Sequence, residues 1–149
     1  MAQPFRLQVL LDLSRDRLET AGAELQRLRG NWAEAQGKLD QLNAYQSEYA
    51  TALQERLSTG IPAHLLSDYR LFLDKLAQAV RAQGAEVERR RISWEQAHAR
   101  WLTLRQREQA LEVLLQRHNA AQLLQESRRE QKQQDEFALN GARENPLQR

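Results

Sequence analysis

The sequence predicts an all-α protein, an antiparallel coiled-coil hairpin of two long helices in which the second is longer and overhangs the first. Three observations predict this fold. A 4-3 apolar spacing runs through both halves of the chain, and only three prolines and six glycines occur in 149 residues. The single Gly-x-Pro sequence, Gly60-Ile61-Pro62, separates the two repeats. Glycine tolerates the positive φ that ends a helix, and proline suits the first turn of the next one.

The first helix is predicted for residues of about 5–58. Its apolar repeat, which we call the seam, is made of Leu7, Leu11, Ser14, Leu18, Ala21, Leu25, Leu28, Trp32, Ala35, Leu39, Leu42, Gln46, Tyr49 and Leu53. A period of 3.5 residues over this length is typical of a coiled coil. Gly22, Gly30 and Gly37 lie off the seam and cost about 1 kcal/mol each in a helix. They are either tolerated surface sites or points where a partner approaches closely.

A turn is predicted at about 59–61, and the second helix at about 62–138. Its seam is made of Leu66, Tyr69, Leu73, Leu76, Val80, Gln83, Val87, Arg90, Trp94, Ala97, Trp101, Leu104, Glu108, Leu111, Leu115 and His118. We expect Asn140-Gly141 to end this helix and residues 139–149 to form a loose tail. The whole chain, 1–149, is then one coiled-coil domain.

Folding back at Gly60 places the two seams face to face in opposite directions. The expected pairs include Tyr49 with Leu73, Leu28 with Trp94, Ala21 with Trp101 and Leu11 with Leu111. Trp32 would face Arg90, an arrangement that allows a cation–π contact. At 1.5 Å per residue the arms reach roughly 75 Å and 110 Å, so residues beyond about 117 have no partner within the chain.

Each helix also has two sides that border the seam. We call residues that directly precede a seam residue the leading side and those that directly follow one the trailing side. Near the turn, the leading side carries Tyr45, Ala52, Phe72 and Ala79, whereas the trailing side carries Asn43, Ala50, Arg70, Ala77 and Gly84. In an antiparallel pair the leading sides of both helices meet, so Tyr45 and Phe72 should be near neighbours. This apolar stripe is either a docking surface or a broadened core.

The overhang, residues 125–137, is polar nearly all round. A helix without an apolar face gains little stability from packing, so this segment either frays in solvent or inserts into a partner. Arg6, Arg15 and Arg17 come from the adjacent end of the first helix and make this end of the molecule rich in charge.

Several classes of chemistry have no support in the sequence. There is no cysteine, Gly-rich phosphate loop or HExxH motif, and His64, His98 and His118 are far apart, with the first two expected on the surface. We therefore expect no enzyme, cofactor or metal. The sequence favours a solvated face over a nucleic-acid contact for the run Arg89–Arg91, because it has no aromatic platform and the net charge is only +2. Residues 1–12 contain no signal peptide and no membrane span is evident, which favours the cytoplasm.

Five stretches resemble the FliJ family of flagellar type III export proteins. They are Phe5-x-Leu7-x-x-Leu10-Leu11-Asp12-Leu13, Leu39-x-x-Leu42-x-x-Tyr45-Gln46-x-Glu48-Tyr49, Gly60-Ile61, Tyr69-x-x-Phe72-x-x-x-Leu76 and Arg128-x-x-Gln131-Lys132-x-x-Asp135-Glu136-Phe137. Their order and spacing cover residues 1 to about 138, and no single one of them is decisive. The tail after Ala138 carries no family signal.

The resemblance implies a cytoplasmic coiled coil similar to the central stalk of rotary ATP synthases, peripheral to the inner-membrane export apparatus. Such a protein inserts its free end into the ring of the export ATPase FliI, binds the cytoplasmic domain of the export gate protein FlhA and escorts export chaperones. By resemblance the gate-binding residues are Leu42, Tyr45, Tyr49, Phe72, Leu76 and Ala79. The ATPase-ring end would comprise Arg6, Arg15, Arg128, Arg129 and Lys132.

Two other interpretations stay open at this point. A general coiled-coil adaptor or scaffold without an export role would dimerise through its long arms, whereas the hairpin predicts a monomer when isolated. A nucleic-acid binder that uses Arg89–Arg91 would show binding that falls steeply with salt.

Overall fold

The protein is a helical hairpin. In the computed structural model, which describes residues 4–144, helix α1 spans Gln8–Thr59 and helix α2 spans Ala63–Glu144. This confirms the predicted fold class, including the greater length of the second helix. Neither helix contains, within the described residues, a stretch that is both long and apolar enough to cross a membrane.

The two helices are joined where the sequence predicted the turn. Gly60 has a φ of +96°, and it is the only residue with positive φ between positions 4 and 144. Before it, the Ser58 hydroxyl donates a hydrogen bond to the Glu55 carbonyl at 2.7 Å, closing the last turn of α1. After it, the carbonyl of Pro62 accepts the amides of Leu65 and Leu66, both at 3.1 Å, and so begins α2. The Gly-x-Pro sequence thus ends one helix and starts the next.

The predicted helix ends are only approximate. α1 begins at Gln8 rather than near residue 5, because Phe5 to Gln8 form a single turn closed by a 3.1 Å bond from the Gln8 amide to the Phe5 carbonyl. α2 continues through Asn140-Gly141 to Glu144, beyond the predicted end near 138. Glycine ends a helix by adopting positive φ, and Gly141 does not adopt it. The rest of the predicted loose tail, 145–149, lies outside the described residues.

The burial pattern confirms the predicted seam. Every seam residue in both helices is buried or half-buried apart from Tyr49, which is exposed. Four side chains are buried: Leu11, Ala35, Leu76 and Ala97. From residue 123 to 144 every position of α2 is exposed, so the overhang has no covered face among the described residues.

Polar seam residues are accommodated by bonds to the facing helix. The Gln83 side-chain amide donates to the Ala35 carbonyl at 2.9 Å, and the Arg90 guanidinium donates to the Asn31 carbonyl at 2.9 Å. Each interaction provides an acceptor for a part-buried donor, which would otherwise cost roughly 1–3 kcal/mol. These bonds hold the two helices at a defined longitudinal register.

Two compact units make up the chain. The turn unit is Glu19–Thr103, and the terminal unit contains the residues up to Leu18 together with those from Leu104 onward. Both α1 and α2 contribute to each unit. That 1–149 is a single domain stays a prediction.

In the turn unit the pairing is close to the predicted one. Trp101 lies over Gly22, the neighbour of its predicted partner. The expectation of a cation–π contact between Trp32 and Arg90 was wrong. Trp32 instead contacts Trp94, with ring centroids 5.5 Å apart. Arg90 bonds to the α1 backbone and to Glu86 of its own helix.

Two glycine substitutions give opposite expected effects on stability. Gly30 has no atom within 4 Å of an added Cβ, so Gly30→Ala should stabilise the fold by about 1 kcal/mol. Gly60 has positive φ, so Gly60→Ala should cost about 1–2 kcal/mol. Urea unfolding followed by circular dichroism measures both effects. A loss of stability in the Gly30 variant would contradict the assignment of this glycine as a tolerated surface site.

Candidate functional site

An aromatic patch near the turn is the main candidate site. We define it by the residues that the sequence singled out: Leu42, Tyr45, Tyr49, Phe72, Leu76 and Ala79. All of them belong to the turn unit. Residues of α1 and α2 come together here because the Gly60 turn reverses the chain between them.

The patch contains a buried base and an exposed aromatic surface. Leu76 is 9% exposed and belongs to the core, and Leu42 and Ala79 are half-buried. Tyr45, Tyr49 and Phe72 are 44%, 40% and 43% exposed, which are high values for such large apolar rings. The core beneath therefore leaves much of each ring accessible to a partner.

Phe72 is the aromatic residue that α2 contributes to the patch. Its ring contacts Tyr49, with centroids 4.6 Å apart and planes inclined by 55°. Such tilted aromatic pairs contribute about 0.5–1.5 kcal/mol beyond area burial. Tyr45, which the sequence also placed near Phe72, accepts a 3.3 Å hydrogen bond at its hydroxyl from the Gln41 side-chain amide. Rings from both helices are thus fixed on one surface.

The two sides of the seam differ in the structure as they do in the sequence. On the leading side Ala52 and Ala79 are half-buried and continue the apolar base of the patch. On the trailing side Asn43, Ala50 and Arg70 are exposed and Ala77 and Gly84 are half-buried, but no aromatic ring is present there. The leading side therefore combines a partly broadened core with exposed rings. The sequence offered two alternatives for this stripe, a docking surface and a broadened core, and the structure has features of both.

The second candidate site is the charged end, defined as Arg6, Arg15, Arg128, Arg129 and Lys132. It belongs to the terminal unit. Arg15 is held by α2, because it bonds to Glu112 and lies 3.8 Å from Glu108. The hydrogen bond to Glu112, with the charges of Glu112 and Glu108, raises the pKa of Arg15. Its charge is therefore largely engaged within the protein.

The other cations of the charged end are differently placed. Arg128, Arg129 and Lys132 are exposed on the overhang and form no ion pair within the described residues. They present positive charge on a helix that no other segment among residues 4–144 covers. The charged end thus consists of one arginine, Arg15, that is paired with glutamates of α2, and a set of cations exposed to solvent.

The basic run Arg89–Arg91 is neutralised by glutamates of its own helix. Arg89 and Arg90 both pair with Glu86, whose pKa is lowered by the hydrogen bonds from these two arginines. Arg91 pairs with Glu88 and Glu95. Since intrahelical partners already occupy these guanidinium groups, the geometry gives no support to phosphate binding by this run.

Sequence analysis placed His98 on the surface, and this was wrong. His98 is half-buried and stacks between Trp94 and Trp101, with centroid distances of 4.9 Å and 6.1 Å. The signal was present as the spacing Trp-x-x-x-His-x-x-Trp, because residues three and four apart are neighbours on a helix. Beside this stack lies a hollow of about 390 Å³, which Gly22 helps to form by lacking a side chain.

His118 lies in an apolar contact rather than beside other potential metal ligands. His118 contacts Phe5, with ring centroids 5.6 Å apart, and is half-buried, so it belongs to the seam as the sequence predicted. No cluster of three or more His, Cys, Asp or Glu residues within positions 4–144 is placed to hold a metal ion.

Comparison with known proteins identifies the family. The family described as "Flagellar FliJ protein" matches residues 3–146 of the chain. The chain is 32% identical over 146 residues to a Flagellar FliJ protein of Salmonella typhi, covering 98% of this chain and 99% of that protein. A Flagellar FliJ protein of Escherichia coli (strain K12) is similar to the same extent, with 32% identity and the same coverage. With a matching family over almost its full length and two relatives of equal length, the chain belongs to the FliJ family of flagellar proteins.

Proposed function

We propose that this FliJ-family protein, a component of the flagellar protein export apparatus, links the export ATPase ring to the export gate. In this proposal the aromatic patch binds the cytoplasmic domain of the gate protein FlhA. The charged end inserts into the ring of the ATPase FliI and promotes its assembly and activity. The protein also escorts export chaperones, and it lies in the cytoplasm, held at the inner membrane only through its partners.

The observation that carries the proposal is the exposure of three aromatic rings on one side of the hairpin. Tyr45, Tyr49 and Phe72 each keep at least 40% of their surface accessible although the core lies directly beneath them. Large aromatic side chains on a supported surface are the residues that most often dominate protein–protein affinity. The trailing side at the same level has no such residues.

The charged end supports the ATPase part of the proposal. Residues 123–144 extend as helix with every position exposed, and they are predominantly polar. A helix without an apolar face gains little stability from packing within its own chain. A partner that surrounds it would supply the stabilising contacts. Arg128, Arg129 and Lys132 offer donors for carboxylates lining such a partner.

Substitution of the exposed rings tests the gate contact. We expect Tyr45→Ala and Phe72→Ala each to weaken binding to the purified cytoplasmic domain of FlhA at least tenfold, because hot-spot rings contribute about 2 kcal/mol or more. Isothermal titration calorimetry measures the affinity, and circular dichroism checks that helicity is unchanged.

The matched control is Leu71→Ala. Leu71 is 57% exposed and directly precedes Phe72, but it lies outside the patch. We expect this variant to bind the gate domain with wild-type affinity. Normal binding by both the Tyr45 and Phe72 variants would show that the patch assignment is wrong.

A further inference from the structure

A second leading-side surface lies in the terminal unit, away from the aromatic patch in sequence. We define the terminal leading face as the residues of that unit that directly precede a seam residue. They are Arg6, Leu10, Leu13, Arg17, Arg107, Ala110, Leu114, Arg117 and Ala121, with the half-buried Gln122 continuing the seam of α2. All of these residues are exposed. Five are apolar, four are arginines and none is acidic.

An observed contact fixes which sides of the helices meet. Arg15 and Glu112 each directly follow a seam residue, and they form a salt bridge between the helices. The trailing sides of α1 and α2 therefore adjoin each other in the terminal unit. It follows that Leu10 of α1 and Leu114 of α2, which precede seam residues, lie together on the opposite side.

The two sides of the terminal unit have different chemistry. The trailing side is polar, with Gln8 bonded to Asp12 at 3.0 Å in addition to the Arg15 salt bridge. The leading side instead exposes leucines: Leu10 is 49%, Leu13 42% and Leu114 41% accessible. Solvent-exposed leucines aligned on two adjacent helices mark a surface that a third helix can cover.

The terminal leading face carries arginines that form no ion pair within the described part of the chain. Arg6, Arg17, Arg107 and Arg117 have no ion-pair partner among residues 4–144. The corresponding leading positions of the turn unit contain both signs of charge, for example Glu24 and Arg27, which pair with each other. An apolar stripe bordered by cations alone is complementary to a partner that carries acidic residues beside its apolar stripe.

We propose that the terminal leading face binds an amphipathic α-helix of a partner protein, one with an aliphatic stripe flanked by Asp or Glu. Arg107 to Ala121 would span about 21 Å of α2, which matches a partner helix of roughly 14 residues. Leu10 and Leu114 would pack against the aliphatic stripe, and Arg17, Arg107 and Arg117 would pair with the acidic flanks.

Two other occupants fit the charge pattern less well. A second copy of this chain would bring arginine against arginine across a symmetric contact. Anionic lipid would need the cations on the polar face of an interfacial helix, whereas here arginines and apolar residues share one side. The inference does not depend on the export role. Arg6 also belongs to the charged end, which the proposed function assigns to the ATPase ring. The binding experiment therefore contains no ATPase, so its outcome is separate from that of the proposed function.

The test uses two synthetic 18-residue helices of identical leucine stripe, one with glutamate flanks and one with lysine flanks. Fluorescence anisotropy measures their binding to the full-length protein. We expect the glutamate peptide to bind at least tenfold more tightly than the lysine peptide. Leu114→Asn should weaken that binding at least tenfold, while Leu71→Asn, which alters a still more exposed leucine of the turn unit, should leave it unchanged.

Charge reversal sharpens the test. The double variant Arg17→Glu with Arg107→Glu should bind the lysine peptide in preference to the glutamate peptide, with helicity by circular dichroism as in the wild type. Equal binding of both peptides by the wild type, or an unchanged preference in the reversed variant, would overturn the proposal. So would absence of peptide binding, whether accompanied by self-association in sedimentation, by binding to phosphatidylglycerol vesicles or by neither.

Discussion

Replacing Trp94 by alanine is expected to lower the free energy of unfolding by about 2–5 kcal/mol. The Trp94 indole contacts Trp32 of the facing helix, with ring centroids 5.5 Å apart, and stacks on His98 of its own helix at 4.9 Å. The substitution removes both contacts and leaves a cavity that two facing helices cannot easily close. Urea unfolding followed by circular dichroism at 222 nm measures the loss.

The control for this substitution is an exposed leucine. Leu71 is 57% exposed, so Leu71→Ala should change stability by less than about 0.5 kcal/mol. If Trp94→Ala were as mild as Leu71→Ala, the indole would lie on the surface in solution and the packing between the helices described here would be incorrect.

Truncation after Gln125 is expected to remove most of the stimulation of the export ATPase while leaving gate binding intact. In the proposed function the exposed end of α2 enters the ATPase ring, so its loss removes that contact. Phosphate release by purified FliI, with and without added protein, measures the effect. Because residues 126–144 are all exposed, the truncated chain should unfold at nearly the same urea concentration as the full chain.

A milder variant separates charge from length. Replacing Arg128, Arg129 and Lys132 by glutamine keeps the helix and removes its unpaired cations. Reduced stimulation by this variant would assign the contact to charge. Full stimulation of the ATPase by the truncated chain would refute insertion of this end.

The repeat and the turn were predictable because each is encoded locally. Apolar side chains at every third and fourth residue define one face of a helix, whichever element covers that face. Gly60 and Pro62 interrupt the helical repeat through their backbone geometry alone. This is why the seam agrees with burial at every residue except Tyr49. That exception belongs to the aromatic patch, where the ring is exposed beside Phe72.

Ring partners could not be predicted, because facing positions do not give side-chain direction. Helical side chains point toward the N-terminus of their own helix, so large rings reach residues about one turn away from the position directly opposite. Trp94 therefore contacts Trp32, one turn away from the position predicted to face it, and the contact expected between Trp32 and Arg90 does not form. Phe72 meets Tyr49, which lies almost directly opposite it in the predicted register.

The end of α2 was misjudged for a different reason. Asn140 and Gly141 are poor helix formers, but each costs at most about 1 kcal/mol, and Ala138, Leu139 and Ala142 favour helix around them. The composition of the candidate site could be predicted from positions beside the seam. The identity of the partner could not be predicted from these positions, because it depends on the surface of the partner as well. The binding measurements with the gate domain and the ATPase decide it.

The turn at Gly60 also sets the order in which contacts can form. Arg56 and Tyr69, which meet at 6.0 Å, are separated by 13 positions, whereas Phe5 and His118 are separated by 113. The entropy lost on closing a loop grows with its length. Pairing of the two helices should therefore begin next to Gly60 and extend from there toward the chain termini. During translation, the segment before Leu18 therefore waits without its helical partner until residues beyond Leu104 have left the ribosome.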